Sequence, residues 1–183
     1  MDAAIARAVA ALRRGGVIAY PTEAVWGLGC DPFNESAVRR IFALKQRPAG
    51  VGVILIAADF AQIEPFLGDC PMPAIARAQA TWPGPNTWIF PRSTRVPAWI
   101  VGEHAGIAVR VTAHPIAAAV CRGFGSAIIS TSANVHGQPP ARSAEAVRLA
   151  FGDQLDDVVD GELGGLERPT AIRDAVSGET LRR

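Results

Sequence analysis

The chain has 183 residues, 49% of them hydrophobic and 19% charged, with a formal net charge of +1 at pH 7. That length and composition fit one globular domain, residues 1–183, with room for a real core, and no apolar run is long enough to span a bilayer, so no membrane partner is expected. A net charge near zero argues neither for nor against a polyanionic partner, but its distribution is uneven: residues 1–148 carry 14 basic and 9 acidic side chains, residues 149–183 carry 4 and 8. A basic body with an acidic tail section fits an anionic ligand bound by the body, and it also fits ordinary solvated surface.

In chain order, Asp2 is placed to cap a helix running to Arg14, with Ile5, Val9 and Leu12 on one face and Gly15-Gly16 ending it. This segment lacks the apolar core and cleavage site of a secretory signal, so a cytoplasmic chain is expected. Val17 to Tyr20 reads as a buried strand and Pro21 to Pro32 as a long loop. Asn34 caps a second helix with Val38, Ile41, Phe42 and Leu44 inward, which Pro48 stops. Val51 to Ala57 is another buried strand, followed by a short helical stretch from Asp59, broken at Pro65, and a helix from the Pro-rich turn at Cys70 to Pro73 to about Thr81.

Strands are expected at Asn86 to Phe90, Ile107 to Val111 and Ala127 to Ser130. A helix opens at His114-Pro115, with proline at its first position, and another is capped by Ser143 and ends at Gly152. Val158-Val159 and Thr170 to Asp174 close the chain as short strands, and the acidic, Gly-rich stretch from Asp153 to Gly165 reads as a mobile loop. Alternating strands and helices predict an α/β fold: a twisted, open, mixed sheet flanked by helices.

Several common chemistries are missing from the sequence. There is no P-loop, no GxGxxG after a strand, no GxSxG elbow and no HExxH. The three histidines have no metal-ligand spacing to each other or to Cys30, Cys70 and Cys121, which read as three free thiols, so no metal site built from protein side chains is expected.

Four features remain, each close to the end of a predicted element. Tyr20 to Gly29 runs from a strand end into a loop holding Thr22, Gly27 and Gly29, either a ligand-binding loop or a tight connection with Trp26 in the core. Lys45-x-Arg47 places two cations at a helix end, where the dipole alone favours positive charge. Lys45 is the only lysine among 18 basic residues. In a chain that uses arginine elsewhere, a kept lysine is most interesting where a flat guanidinium fork fails and a compact ammonium fits. Arg110 interrupts an apolar strand and needs a partner or a ligand; an internal salt bridge and an anionic ligand are both open. The strand at Ile128-Ile129 ends in Ser130-Thr131-Ser132 and Asn134, a cluster suited to phosphate or carboxylate oxygens and equally to turn chemistry.

Taken together, Tyr20-Pro21-Thr22-Glu23 with Gly27-Leu28-Gly29, Lys45-Gln46-Arg47-Pro48, Trp82-Pro83-Gly84-Pro85, Ala108-Val109-Arg110 and Ser130-Thr131-Ser132-Ala133-Asn134 strongly resemble the YrdC/TsaC family of threonylcarbamoyl-AMP synthases, in the family's order and across nearly the whole chain. The resemblance implies that L-threonine, bicarbonate and ATP, with Mg²⁺ accompanying the nucleotide, give threonylcarbamoyl-AMP and pyrophosphate. A partner transferase complex would then modify the adenosine beside the anticodon of tRNA. It also implies roles. Lys45 and Arg47 would be catalytic and grip the ATP phosphates and the developing carbamate. Ser132, Asn134 and Arg142 would contact the nucleotide. Thr22, Arg110, Ser130 and Thr170 would hold threonine. The alternative is a double-stranded RNA or tRNA-binding module without catalysis. Three positions depart from the family pattern: Ala24, Ile56 and the uncharged segment Ala49 to Gly52.

Overall fold

The structure, a computed structural model, describes residues 2–48, 50–167 and 170–182. Helix α1 (Ala3–Arg13) starts on Asp2, whose carboxylate accepts from the Ala4 amide at 2.7 Å. Strands β1 (Ile18–Pro21) and β2 (Trp26–Gly29) form an antiparallel hairpin with Tyr20 opposite Gly27. Part of the segment expected as a loop is therefore a strand. Its glycines hid it from a propensity reading, and packing explains Gly29. A Cβ on Gly29 would lie 2.7 Å from the Ile129 carbonyl oxygen and 2.8 Å from the Tyr20 ring, so only glycine lets β2 lie this close to its neighbours. Trp26 is in the core.

Helix α2 (Glu35–Lys45) is capped by the Asn34 side chain, which accepts from the Ala37 amide at 3.0 Å. It ends on Gln46 in the left-handed conformation (φ 49°), two residues before Pro48. Strand β3 (Ile54–Ala57) is shorter than expected, and Val51 makes only an isolated bridge to Gly102. Two short 3₁₀ turns, Phe60–Gln62 and Glu64–Phe66, occupy the stretch opened by Asp59. Then come α3 (Met72–Gln79), β4 (Asn86–Pro91), α4 (Ala98–Val101), β5 (Gly106–Val111), α5 (Pro115–Phe124), β6 (Ile128–Ser132) and α6 (Ala144–Phe151). Strands β7 (Asp157–Val158), β8 (Ala171–Asp174) and β9 (Thr180–Arg182) close the sheet. The one-turn α4 and the fully exposed β9 have no counterpart in the sequence reading.

Among the described residues, nine strands join one mixed sheet in the order β7-β1-β2-β6-β3-β5-β4-β8-β9. Three neighbouring pairs are parallel and five antiparallel. The two-residue alternation of the strands divides the core. Ala19, Leu28, Leu55, Trp88, Val109 and Ile129 pack on the face covered by α2, α3, α4 and α6. Ile18, Tyr20, Ile56 and Ile128 pack on the other face, under α1 and α5. Helices α1 and α5 cover only part of that second face, and the rest of it forms the floor of a cavity.

The acidic segment expected to be a mobile loop is tied to the strand-end motif. The amides of Val159, Gly164 and Leu166 donate to the carbonyls of Ala19, Thr22 and Glu23 at 2.9, 3.1 and 2.9 Å. His114, the cap of α5, pairs through Nε2 with the Glu162 carbonyl at 2.9 Å. The thiols of Cys30, Cys70 and Cys121 are all free. No helix among the described residues is long and apolar enough to cross a membrane.

Candidate functional site

A cavity of about 710 Å³ opens over the uncovered part of the sheet, a volume within the range that takes a drug-sized ligand. Register explains its floor. Ser130 of β6 stands opposite Ile54 of β3, Ile54 opposite Ala108 of β5, and Ala108 opposite Ile89 of β4. Gly27 of β2 stands opposite Ser132. All six residues line the cavity. One row further along, Ile56 pairs with Arg110 and Ile128. Ile56 itself lies in the core with residues of α5 and does not line the cavity, so in this chain the departure at that position is a packing residue. Ala24 does line the cavity. Ala49, in the other departing segment, lies outside the described residues.

Arg110 is 7% exposed, and it has an internal partner while also lining the cavity. Its Nη2 lies 3.4 Å from Glu23 Oε2, and its Nη1 donates to Thr170 Oγ1 at 3.0 Å while the residue lines the cavity. Glu23 is held from its other oxygen, which accepts from the Thr112 hydroxyl at 2.7 Å and the Ala113 amide at 3.2 Å. Glu23 Oε2 and Arg110 Nε are buried and make no hydrogen bond among the described residues. The internal salt bridge is therefore real but loose, and the arginine keeps donor capacity beside the cavity.

Lys45 is 3% exposed. Its ammonium donates to the Ser132 carbonyl at 2.5 Å, to the Asn134 carbonyl at 2.9 Å and to Asn134 Oδ1 at 3.1 Å. Three acceptors converge on one nitrogen, an arrangement that matches the three protons of an ammonium and not the flat fork of a guanidinium. This accounts physically for the one lysine in an arginine-rich chain. Ser132 Oγ donates to the same Asn134 Oδ1 at 2.6 Å, so Lys45 and Asn134 form a layer directly behind the Ser132 hydroxyl. Burial first, and the neighbouring Arg47 second, push the Lys45 ammonium down to about 8.

The left-handed Gln46 turns the chain so that Arg47, which follows it, lines the cavity. Arg47 Nη2 donates to the Gly52 carbonyl at 2.9 Å, and Nη1 lies 3.4 Å from Thr131 Oγ1. Burial, and then the charge of Arg182, depress the Arg47 guanidinium below its ordinary range. Thr22 caps the hairpin turn by donating its hydroxyl to the Val25 carbonyl at 2.6 Å, and it also lines the cavity.

Of the nine residues singled out in the sequence, the structure gathers Thr22, Arg47, Arg110, Ser130, Ser132 and Thr170 around the cavity. Lys45 and Asn134 lie behind it, and Arg142 is exposed outside its lining. The sequence reading gave no role to Glu23, although an acid inside an otherwise uncharged motif was a usable signal for the partner that Arg110 needed. It also missed Arg182, a third cavity-lining arginine on the exposed strand β9, for which polar residues near the end of the chain offered no signal. Thr131 and His104 complete the polar lining. No Asp or Glu lines the cavity among the described residues, and no cluster of three or more His, Cys, Asp or Glu is placed to hold a metal ion.

Fold and site together define an α/β protein with an open sheet face that gathers arginines and hydroxyls around one cavity. Comparison with known proteins makes the class specific: residues 10–183 match the family model Sua5_yciO_yrdC, described as Telomere recombination, and the chain belongs to that family. It is 56% identical over 179 residues to the threonylcarbamoyl-AMP synthase of Halorhodospira halophila, covering 98% of this chain and 94% of the relative. It is 53% identical over 175 residues to the protein of the same name from Coxiella burnetii, covering 96% and 94%. Among solved structures, P. abyssi Sua5 complexed with L-threonine superposes with a TM-score of 0.88 at 36% identity, over 93% of this chain and 50% of that one, so this chain spans half the length of Sua5. E. coli YciO superposes with a TM-score of 0.83 at 28% identity, over 98% and 90%.

Proposed function

We infer that this chain is a threonylcarbamoyl-AMP synthase, a transferase that uses ATP, with residues 1–183 acting as one catalytic unit. The observation that carries the reading is a cavity lined by Arg47, Arg110 and Arg182, with serine and threonine hydroxyls and no carboxylate among the described lining residues. A reaction that joins three anions needs such a site. Threonine's amine captures bicarbonate to give a carbamate with loss of water; a carbamate oxygen then attacks the α-phosphorus of ATP, and pyrophosphate leaves. The reaction needs no covalent enzyme intermediate. It needs the anions held in line and the growing charge on phosphate oxygens met by preorganised donors.

In this reading Arg110, Thr170 and Ser130 receive the threonine carboxylate and its surroundings, with Thr22 at the adjoining turn. Arg47, Thr131 and the Ser132 hydroxyl face the phosphates. Asn134 and Lys45 act one layer behind: the ammonium fixes the Ser132 and Asn134 carbonyls and adds positive charge beneath the Ser132 hydroxyl. Mg²⁺ would come bound to the triphosphate and neutralise part of its charge, held by the nucleotide's own oxygens and water. The product would pass to a transferase complex that modifies tRNA. Curated relatives at 52–56% identity are named as synthases, which favours the enzyme over an RNA-binding module without catalysis.

Incubation with ATP, bicarbonate and threonine is expected to release pyrophosphate, and omitting threonine is expected to abolish the release. Threonine-independent release would overturn the reading. The depressed Lys45 pKa adds a pH dependence. Its charge is present below about pH 8 and lost above it, and the third hydrogen bond goes with the third proton. kcat/KM is therefore expected to fall as pH rises through about 8, and Lys45→Arg is expected to lack that limb in whatever activity it keeps. The linked stability term has the opposite sign. Between about 8 and the ordinary lysine value of 10.5 the unfolded chain binds more protons, so Lys45's contribution to stability rises with pH there. Measuring both profiles on wild type and Lys45→Arg checks the pair.

A further inference from the structure

His114 is 4% exposed and does not line the cavity. Its backbone amide donates to Thr112 Oγ1 at 3.1 Å, and the Thr112 hydroxyl donates in turn to Glu23 Oε1 at 2.7 Å. Its Nδ1 accepts from the Ala117 amide at 3.5 Å as the cap of α5. A ring nitrogen that accepts from an amide carries no proton, so the neutral ring holds its proton on Nε2, which donates to the Glu162 carbonyl at 2.9 Å. A helix cap needs one acceptor, and short side chains supply it at Asp2, Asn34 and Ser143 for α1, α2 and α6. Capping therefore explains one nitrogen of the imidazole and leaves the other, with its reach to Glu162, to be explained.

Glu162 opens a strap, residues 162–166, that lies along the turn bearing Thr22. The Gly164 and Leu166 amides donate to the Thr22 and Glu23 carbonyls at 3.1 and 2.9 Å. A Cβ on Gly164 would lie 2.9 Å from Glu23 Cα, so the strap rests directly on the backbone of the turn. Four residues past Leu166, Thr170 accepts from Arg110 at 3.0 Å, and Thr22, Arg110 and Thr170 all line the cavity. We propose, on the reading that these three residues hold threonine, that His114 is a positioning residue: its Nε2–H latches the strap to the Thr22-Glu23 turn and so fixes the threonine side of the cavity. The ring touches no reacting group and acts through the placement of the two threonine hydroxyls. Arg47 follows α2 and Ser132 ends β6, so the phosphate side is carried by other elements.

The test combines amide hydrogen exchange at Gly164 and Leu166 with equilibrium binding of L-threonine and of ATP to wild type, His114→Asn and His114→Ala, alongside thermal melts. Asparagine puts an acceptor where Nδ1 stands and is too short to reach Glu162, so His114→Asn is expected to melt close to wild type, whereas His114→Ala loses the cap as well and melts lower. In both variants the Gly164 and Leu166 amides are expected to exchange about three- to tenfold faster, the range that one hydrogen bond's net contribution spans. Threonine is expected to bind more weakly by up to the same factor and ATP as it does to wild type. In turnover the loss should appear in the KM for threonine and not in the KM for ATP. Wild-type exchange and threonine affinity in His114→Asn overturn the latch, because the ring then serves α5 as a cap and nothing more. An equal loss of threonine and ATP binding overturns it too, because the damage would then be to the fold as a whole. Faster exchange with unchanged threonine binding overturns the positioning role and leaves the enzyme reading standing, whereas a wild-type protein that binds no threonine overturns both.

Discussion

Lys45→Arg is expected to make threonylcarbamoyl-AMP about a hundredfold more slowly than wild type, the scale of loss when reacting groups are misplaced by about an ångström. The reason lies in the acceptor geometry. The Ser132 carbonyl, the Asn134 carbonyl and Asn134 Oδ1 all aim at one point, which a compact ammonium occupies and a planar guanidinium cannot without pushing the Ser132 to Asn134 turn outward. Ser132 Oγ is hydrogen-bonded into the same cluster, so displacing the turn displaces a hydroxyl that lines the cavity. Lys45→Ala is expected to lose at least as much activity, and about 1–3 kcal/mol of stability besides, because it leaves buried acceptors without a donor. Initial rates and thermal melts of the two variants separate these effects. Near-wild-type rates for Lys45→Arg would remove the reason for the chain's one lysine.

Glu23→Gln is expected to be the most destabilising polar substitution around the cavity. Glu23 and Arg110 have side chains 7% and 8% exposed, and the carboxylate is the counter-charge to a guanidinium that the fold has already taken out of water. Removing one charge of a buried pair costs about 3–5 kcal/mol, because the other is left uncompensated. For a chain of this size that lowers Tm by roughly 6–20 °C. The amide keeps the shape of the carboxylate and can still accept from Thr112 and the Ala113 amide, so the loss reads mainly the charge. A Tm within 2 °C of wild type would mean that Arg110 does not depend on Glu23, and that the 3.4 Å contact is incidental.

The alternation of apolar residues placed most of the helices and strands correctly in the sequence, since burial on one helical face or in a strand leaves a period that can be read directly. The elements it missed have physical explanations. Strand β2 looked like a loop because it holds two glycines, and Gly29 is where it is to admit the Tyr20 ring and the Ile129 backbone, a packing requirement that leaves no hydrophobic period. Strand β9 is exposed at every residue, so burial wrote nothing into it. The same distinction holds at the site. Hydroxyls and cations close to strand ends announced Thr22, Arg110, Ser130 and Ser132. Whether a cation faces the cavity or stands behind it depends on the direction of a side chain, and the sequence does not carry that. Lys45 was legible as an oddity, and only the convergence of three acceptors explains why it is one.

On the proposed function this cavity joins threonine, bicarbonate and ATP in one chemical sequence. Mass spectrometry of the product made from ¹³C-bicarbonate, unlabelled threonine and ATP tests it most directly. The expected product is threonylcarbamoyl-AMP carrying a single heavy carbon, located in the carbamoyl group and formed in step with pyrophosphate. An adenylate formed without the heavy carbon, or one in which threonine's own carboxylate is joined to AMP, would contradict it.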